Sequence, residues 1–404
     1  MTGQLSAWMA IVVFCCTTVV IDEVRGSSAE DYKRLHRSLL ANYSTSVRPV
    51  LDQDDTVFIA TALYLAGIND VDTVAQRLVT TAFLDLAWFD EFLQWDELST
   101  GIEIMYFKQN EIWTPDLVLK NSVQTVKELG GDFYYLSVTS DGLVRWLPFQ
   151  VFESKCAIDI TFFPFDDQTC YITVHSWSFN KYEVNVTHFL NDDFPVNFYD
   201  FVENSVWSIV STGSSASPES EVDSEVTFIL HLRRKPLYYI MNLIFPVVLL
   251  GFLNLLVFVI PADAGEKMSF AMTVFLSFAV FLSIISMQLP TNSDKTSLLG
   301  VYLVFQMILG VGTITISSLQ LRLHHRNSEV GRFYRGIVKF ERYLRCTKCK
   351  KFPRIKPVGE DNLDVVDWRA VSSAIDFVSL FTMLVLEIVA ISVLMVKLIH
   401  STRG

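Results

Sequence analysis

The sequence predicts an exported β-sandwich followed by a four-helix membrane domain. Three features predict it. Residues 27 to 232 alternate apolar and polar side chains in short runs separated by turn residues, the pattern of half-buried strands. Residues 237–260, 268–290, 297–321 and 377–396 are almost uncharged, and each is long enough to cross a hydrocarbon core of about 30 Å as a helix. Cys156 and Cys170 bracket the run AIDITFFPFDDQT, a loop that a single disulfide would close.

Residues 1–26 read as a secretory signal. Trp8 to Val20 is apolar and the small residues Gly26, Ser27 and Ser28 follow, although no basic residue precedes the apolar run. Export places Cys156 and Cys170 in an oxidising compartment, where a disulfide persists. The acceptor sequences Asn42-Tyr43-Ser44 and Asn185-Val186-Thr187 fit the same side and make Asn42 and Asn185 glycosylation candidates. Asp31 to Asn42 predicts a short amphipathic helix with Tyr32, Leu35, Leu39 and Leu40 on one side. Thr56 to Ala60 and Leu78 to Phe83 are β-branched and apolar, so strands begin there. Asp141-Gly142 sits between Tyr134–Thr139 and Leu143–Leu147, a hairpin signal. Recurrent strands through residue 232 predict a β-sandwich with the cysteine loop at one end.

The membrane spans are too long and continuous for a bacterial outer-membrane barrel. Between the third and fourth spans lies a cluster of lysines and arginines from Arg322 to Lys356, an excess that marks the cytoplasmic side. Both termini then lie outside. The formal net charge of −12 falls mostly on the external domain, where an acidic vestibule concentrates cations. Gly331 to Arg345 is a basic amphipathic stretch suited to the membrane surface, ended by Pro353 and Pro357. Asn362 to Ala374 predicts a helix that runs on into the fourth span. The expected divisions are signal 1–26, extracellular sandwich 27–234, spans one to three within 235–321, a short cytoplasmic segment 322–376, and the fourth span 377–400.

Six runs carry a family resemblance. They are Trp88-Phe89-Asp90-Glu91-Phe92-Leu93-Gln94-Trp95, Trp113-Thr114-Pro115-Asp116, Phe163-Pro164-Phe165-Asp166, Ser176-Trp177-Ser178, Arg233 to Tyr239 entering the first span, and Pro261 to Lys267 entering the second. In order and spacing the chain resembles a nicotinic-type Cys-loop pentameric ligand-gated ion channel over nearly everything after residue 30. The resemblance implies a homopentamer or heteropentamer around a central pore, with ligand sites between adjacent sandwiches. Its implied partners are a small extracellular ligand, permeant cations and membrane lipid. Its implied location is the plasma membrane, a postsynaptic one included.

The second span has the pattern of a pore helix. Ser269, Thr273, Leu276, Val280, Ser283 and Met287 recur at alternating steps of four and three, which puts them on one helical stripe. Such a channel would be polar at the cytoplasmic end and apolar halfway up, where Leu276 and Val280 could close it by dewetting. Glu266 would form a carboxylate ring at the inner mouth, attracting cations and repelling anions. The family's anion channels resemble Pro-Ala-Arg there, so the expectation is cation selectivity. Lys267 is expected to point away from the pore, into the protein or the interface. Met287 stands where many nicotinic relatives carry glutamate, so the outer ring of charge is missing. Glu387, mid-span in the fourth helix, is expected to be protonated or hydrogen-bonded to a neighbouring helix.

The resemblance implies an agonist cage of aromatic rings that hold an amine by cation–π attraction. Trp177 matches its central tryptophan and Phe179 lies two residues on. Phe83, Arg145 and Leu147 match the complementary face. Lys120 stands where the family presents a tyrosine. The capping loop from Thr212 to Glu225 lacks both the vicinal cysteines and the tyrosines, with Ala216, Pro218-Glu219 and Asp223 in their places. It is acidic instead, through Glu219, Glu221, Asp223 and Glu225. Acetylcholine is therefore a poor candidate. Lys120 is expected either to pair with the acidic loop or to meet an anionic or zwitterionic ligand.

Coupling between the domains is assigned to Asp70 and Asp72, Phe165 in the cysteine loop, Arg234 before the first span and Pro290 after the second. A pair between Asp70 or Asp72 and Arg234 is expected. No nucleophile–base pair, phosphate loop or metal box is present, so neither an enzyme, a cofactor nor a nucleic-acid partner is expected. Cys346 and Cys349 do not fill a four-ligand zinc site, which leaves lipidation or free thiols. Two rival readings are an accessory subunit that needs partners, and a membrane-anchored binding protein that does not conduct.

Overall fold

A computed structural model describes residues 28–189, 196–218, 222–262, 265–288, 295–326, 328–345 and 367–401. The signal segment, Pro290 and the Cys346/Cys349 pair lie outside them. Helix α1, Ala29–Leu40, opens with a capping box: the Ser28 hydroxyl accepts from the Asp31 backbone N–H, and the Asp31 carboxylate accepts from that of Ser28. Its Leu35, Leu39 and Leu40 pack against the sandwich core.

The strands are β1 Val57–Asp72, β2 Arg77–Phe89, β3 Ile104–Lys108, β4 Leu117–Leu119, β5 Tyr135–Thr139, β6 Leu143–Trp146, β7 Phe149–Lys155, β8 Asp167–Ser176, β9 Val184–His188, β10 Val196–Val202, β11 Trp207–Ala216 and β12 Glu225–Arg234. One sheet runs β10-β1-β2-β6-β5-β3, with β7 also on β2 and β9 also on β1; the other runs β11-β12-β8-β4. Between them lies a core that includes Ile59, Leu63, Leu84, Trp88, Phe107, Trp146, Phe152 and Phe228, each at alternating positions that face inward. The β5–β6 hairpin turns at Asp141-Gly142 as expected. Gly142 has φ +88°, and a Cβ there would lie 2.6 Å from the Asp90 carbonyl oxygen, so only glycine fits.

The described residues include four helices long and apolar enough to cross a membrane. They are α2 Leu237–Leu256, α3 Lys267–Gln288, α4 Leu298–His324 and α6 Trp368–Ser401; the amphipathic α5, Arg332–Leu344, precedes α6. Helix α2 widens to a π-turn over Ile240–Ile244, just before Pro246, which lacks the N–H that an α-turn would use. Val247 of α2, Val274 and Phe278 of α3, Leu303 of α4 and Leu394 of α6 form a shared core into which Phe163 of the cysteine loop inserts. Cys156 and Cys170 are joined as a disulfide.

One set of polar groups buried in this bundle is paired across helices. The Glu387 carboxylate accepts from the Tyr302 hydroxyl at 2.9 Å and from the Gln306 amide at 2.7 and 2.8 Å. Gly251 faces it: a Cβ there would lie 2.4 Å from the carboxylate. The hydrogen bonds to α4 accord with the expectation for Glu387.

In the sandwich, Asp90 is fully buried and accepts from the Tyr43 hydroxyl at 2.6 Å. Burial pushes its carboxyl up to about 6 from an ordinary 3.8, against the opposing effect of its hydrogen bonds. A carboxyl raised in this way contributes stability below its unfolded value and loses it as pH rises through about 6. Thermal unfolding of the purified protein should show this loss, up to about 3 kcal/mol between pH 4 and 7. Asp90→Asn should flatten that slope, and an unchanged slope would remove Asp90 as its source.

Candidate functional site

The ligand-face residues fall on the two sheets. Trp177 follows β8 and is 62% exposed. Its loop is fixed by Asp116, whose carboxylate accepts from the Ser176 hydroxyl and the Ser178 backbone N–H, both at 2.6 Å. His175 meets the Trp177 ring edge-on, with centroids 5.9 Å apart. Burial, and then the nearby Lys120 ammonium, hold His175 below the usual imidazole range. Lys120, one residue beyond β4, donates to Glu225 at the start of β12 and lies 3.9 Å from Asp223. Lys181 donates to the carbonyls of Ser217 and Pro218 at 3.0 and 2.8 Å. Lys181 and Lys120 thus bind the described ends of the 212–225 loop. Phe179 is half-buried and packs against the sandwich core. Residues 219–221 lie outside the described residues.

Phe83, Arg145 and Leu147 belong to the other sheet. Phe83 stacks on Tyr64 at 4.8 Å and meets Tyr199 edge-on. Arg145 forms a two-pronged pair with Asp85, which is itself buried. That pair raises the Arg145 pKa. Leu147 is exposed. The two sets lie on different sheets, which suits a site completed by a neighbouring copy.

At the sandwich–membrane junction the pairing differs from the one expected. Arg234 does not pair with Asp70 or Asp72. It makes a two-pronged pair with Asp166, at 2.7 and 3.0 Å, and the two side chains are only 3% and 1% exposed. The cause is strand register: Arg233 lies opposite Asp167 in the β8–β12 ladder, which carries Arg234 to Asp166. The Arg234 guanidinium also lies 4.2 Å from the Trp207 ring, with Phe163 and Tyr239 at 5.1 and 5.3 Å. Gln168 donates to Asp166 at 2.6 Å. Asp72 serves the β1–β2 turn instead, accepting from the backbone N–H groups of Val74 and Ala75, and it lies 3.5 Å from Arg77. Asp70 is exposed; both aspartates line a hollow of about 450 Å³ that Arg234 and Tyr239 also border.

Phe165 packs against the membrane core beside Phe163. Two further contacts tie the cysteine loop to the start of α4. Lys295 donates to Asp159, and the Leu298 backbone N–H donates to the Thr161 carbonyl at 3.0 Å. Burial works against the charge on Asp159, but hydrogen bonds from Lys295 and Thr161 outweigh it and hold the carboxyl below its usual range. Sequence reading missed Asp159, Lys295 and the true partner of Arg234. Both contacts are long-range, although the Phe163-Pro164-Phe165-Asp166 motif itself pointed to the right segment.

On α3, Ser269, Thr273, Leu276, Val280, Ser283 and Met287 are all exposed, and Glu266 is exposed just before the helix. The opposite face, Lys267, Ala271, Val274, Phe278 and Ile285, is buried. Lys267 points inward, as expected, where its ammonium donates to Gln320 at 2.8 Å and to Asp376. Among the described residues no cluster of three or more potential metal ligands occurs. Asn42 is exposed, and Asn185 lies on β9 with its side-chain oxygen accepting from Ser224 at 3.2 Å.

Family comparison agrees with this geometry. Residues 32–236 match the neurotransmitter-gated ion-channel ligand binding domain, and residues 243–354 match the neurotransmitter-gated ion-channel transmembrane region. The chain belongs to the neurotransmitter-gated ion-channel family. It is a nicotinic-like Cys-loop subunit and a multi-pass membrane protein, in a family whose members are channel subunits, not enzymes. It is 32% identical to acetylcholine receptor subunit beta-like 1 of Drosophila melanogaster over 88% of its own length and 68% of that relative's. It is 33% identical to neuronal acetylcholine receptor subunit alpha-6 of Pan troglodytes, over 80% of the chain and 65% of the relative. It is 34% identical to acetylcholine receptor subunit delta of Xenopus laevis, over 79% and 65%. The match thus spans about two thirds of each relative's length.

The Arg234–Asp166 pair gives a direct test in this family member. Arg234→Gln strands a buried carboxylate, a cost of about 3–5 kcal/mol. Surface delivery of the variant should collapse, measured by labelling of intact cells. Arg234→Gln with Asp166→Asn removes both charges and should recover part of it. Equal loss in the single and double variants would show that the charge balance is not what matters.

Proposed function

We propose that the chain forms a cation-selective pentameric ligand-gated channel, opened by a small extracellular molecule other than acetylcholine. One observation carries the pore assignment: the α3 stripe from Ser269 to Met287 is exposed while the opposite face is packed into the chain's own bundle. Leu276 at 63% and Met287 at 75% exposure are large apolar side chains with no place in that bundle. Five such stripes around an axis would line a channel, with Glu266 ringed at its inner mouth and Leu276 and Val280 forming an apolar constriction. A carboxylate ring favours cations, and Lys267 is withdrawn from it by Gln320 and Asp376. The absence of a carboxylate at Met287 argues for modest calcium permeation.

The ligand assignment rests on Trp177 and its supporting Asp116 on one face, with Phe83, Arg145 and Leu147 on the other. Lys120 takes a place that in the family holds a ring, and it is bound to Glu225. Each missing ring forfeits about 0.5–2 kcal/mol of cation binding, and a lysine repels a quaternary amine. These features speak against acetylcholine. The same ion pair favours a second reading, an accessory subunit whose partners supply an intact ligand face in a heteropentamer.

Expression of this subunit alone in oocytes, with a broad ligand panel that includes protons and amphiphiles, separates the two. Current from the lone subunit supports the homopentamer; current only with a co-expressed relative supports the accessory role. In a conducting channel, Glu266→Lys should move the reversal potential from the sodium toward the chloride equilibrium value. An unmoved reversal potential would place Glu266 away from the permeation path. Trp177→Ala should abolish the agonist response while leaving surface expression intact; an agonist equally potent on both proteins acts elsewhere. Lys120→Tyr should strengthen binding of a quaternary amine by about 2- to 30-fold, read from competition with a labelled ligand. No gain would mean that Lys120 does not face the amine.

A further inference from the structure

Resting on the pore reading above, we propose that Met287, at the outer end of the α3 stripe, is an oxidation site whose sulfoxide gives the pore mouth a ring of oxygen acceptors. Helix α3 carries no acidic residue between Lys267 and Gln288, so the stripe has no fixed negative charge beyond the Glu266 ring at its inner end. Met287 lies in the last turn, on one face with Ser269, Thr273, Leu276, Val280 and Ser283. It is the most exposed methionine among the described residues. In the proposed channel its thioether borders the water path.

The chemistry needs only a peroxide. A lone pair of the thioether sulfur attacks one peroxide oxygen and the O–O bond breaks. The proton of the transferred hydroxyl passes to the departing one, which leaves as water. Sulfur gains an oxygen and gives up two electrons, which the peroxide takes. A weak acceptor on an apolar chain thereby becomes a polar side chain with a strong acceptor oxygen. Five S=O dipoles around an axis would present oxygen to a permeant cation, as rings of backbone carbonyls do. The last carbonyls of α3 have no intrahelical donor and put partial negative charge at the same end. Both features favour cations there.

Position separates Met287 from the other methionines. Met105 and Met383 are buried. Met241, Met272 and Met395 are exposed on the single chain but lie off the stripe. In a membrane-embedded pentamer those faces meet lipid or a neighbouring subunit, whereas the stripe meets water.

The first measurement is peptide mass mapping of the full chain in lipid nanodiscs after a pulse of hydrogen peroxide. Met287 should gain one oxygen faster than Met241, Met272 and Met395; a gain no faster than theirs overturns the site. Function is read in Leu276→Thr with Val280→Thr, whose hydroxyls wet the apolar constriction so that current flows without a ligand. Peroxide should raise the cation current of this background at low ionic strength by roughly twofold or more, the effect expected of a modest polar contact. Adding Met287→Leu should abolish the response. Adding Met287→Gln, a neutral side chain with a carbonyl acceptor, should show the raised current before any oxidant. An unaltered current after peroxide, or a response that survives Met287→Leu, overturns the proposal. Met287→Cys in the same background tests the pore reading separately, because a cationic thiosulfonate reagent should then reduce the current. Block by that reagent with no peroxide effect in the background sinks the oxidation site alone. Absence of block, or a background variant that reaches the surface and carries no current, sinks the pore reading.

Discussion

The junction between sandwich and membrane rests on one buried ion pair, Asp166 with Arg234. Taking both charges out of water is costly, and the attraction between them offsets this only with good geometry and further hydrogen bonds. The protein supplies these: a two-pronged contact, Gln168 on the carboxylate and three aromatic rings around the guanidinium. Asp166 belongs to the cysteine loop and Arg234 ends the last strand before α2, so the two cannot separate without stranding a charge. Phe163 and Phe165 then seat the loop in the membrane core, and Asp159 reaches Lys295 ahead of α4. The loop thus touches the leads into both neighbouring spans.

A related logic holds within the bundle. Lipid tails are as apolar as leucine, so helices gain little from apolar contact alone and depend on close packing and polar links. Lys267, Gln320 and Asp376 link α3, α4 and α6 at the cytoplasmic end; Glu387, Tyr302 and Gln306 link α6 to α4 higher up. These contacts spend several of the bundle's buried polar groups on internal bonds. The α3 stripe is the contrasting face: serine, threonine and large apolar groups remain exposed there, available to other copies or to water.

What could be read from sequence divides along the range of the interactions. The spans, the amphipathic α5 and the Asp141-Gly142 hairpin depend on local composition and period; helices and a hairpin occur at these places, although the last helix, Trp368–Ser401, begins well before residue 377. The α3 stripe was legible for the same reason, since a helical period fixes which residues share a face. The partner of Arg234 was not. It depends on the register of β8 against β12, which joins residues far apart in the chain. Arg145 illustrates the same limit: pairing of β6 with β2 sets it opposite Ala87, two residues from Asp85 on the same sheet face, and the resulting ion pair has no local signature. Lys120 could be assigned to the ligand face by motif position, but the choice of Glu225 as its main partner comes from the strands.

Strand β12 joins these two charge pairs. Glu225, its first residue, is held by Lys120 beside Trp177; Arg234, its last, is held by Asp166 at the membrane. The strand has 10 residues, about 30 Å at some 3.4 Å each. It is hydrogen-bonded along that length to β11 on one side and β8 on the other. Such a strand resists stretching, so a displacement imposed at Glu225 reaches Arg234 with little loss. A ligand that competes with Glu225 for Lys120, or with Lys120 for Glu225, acts on the far end of the element that anchors the first span. In the proposed channel, the Lys120–Glu225 pair would therefore sit at the ligand end of that strand.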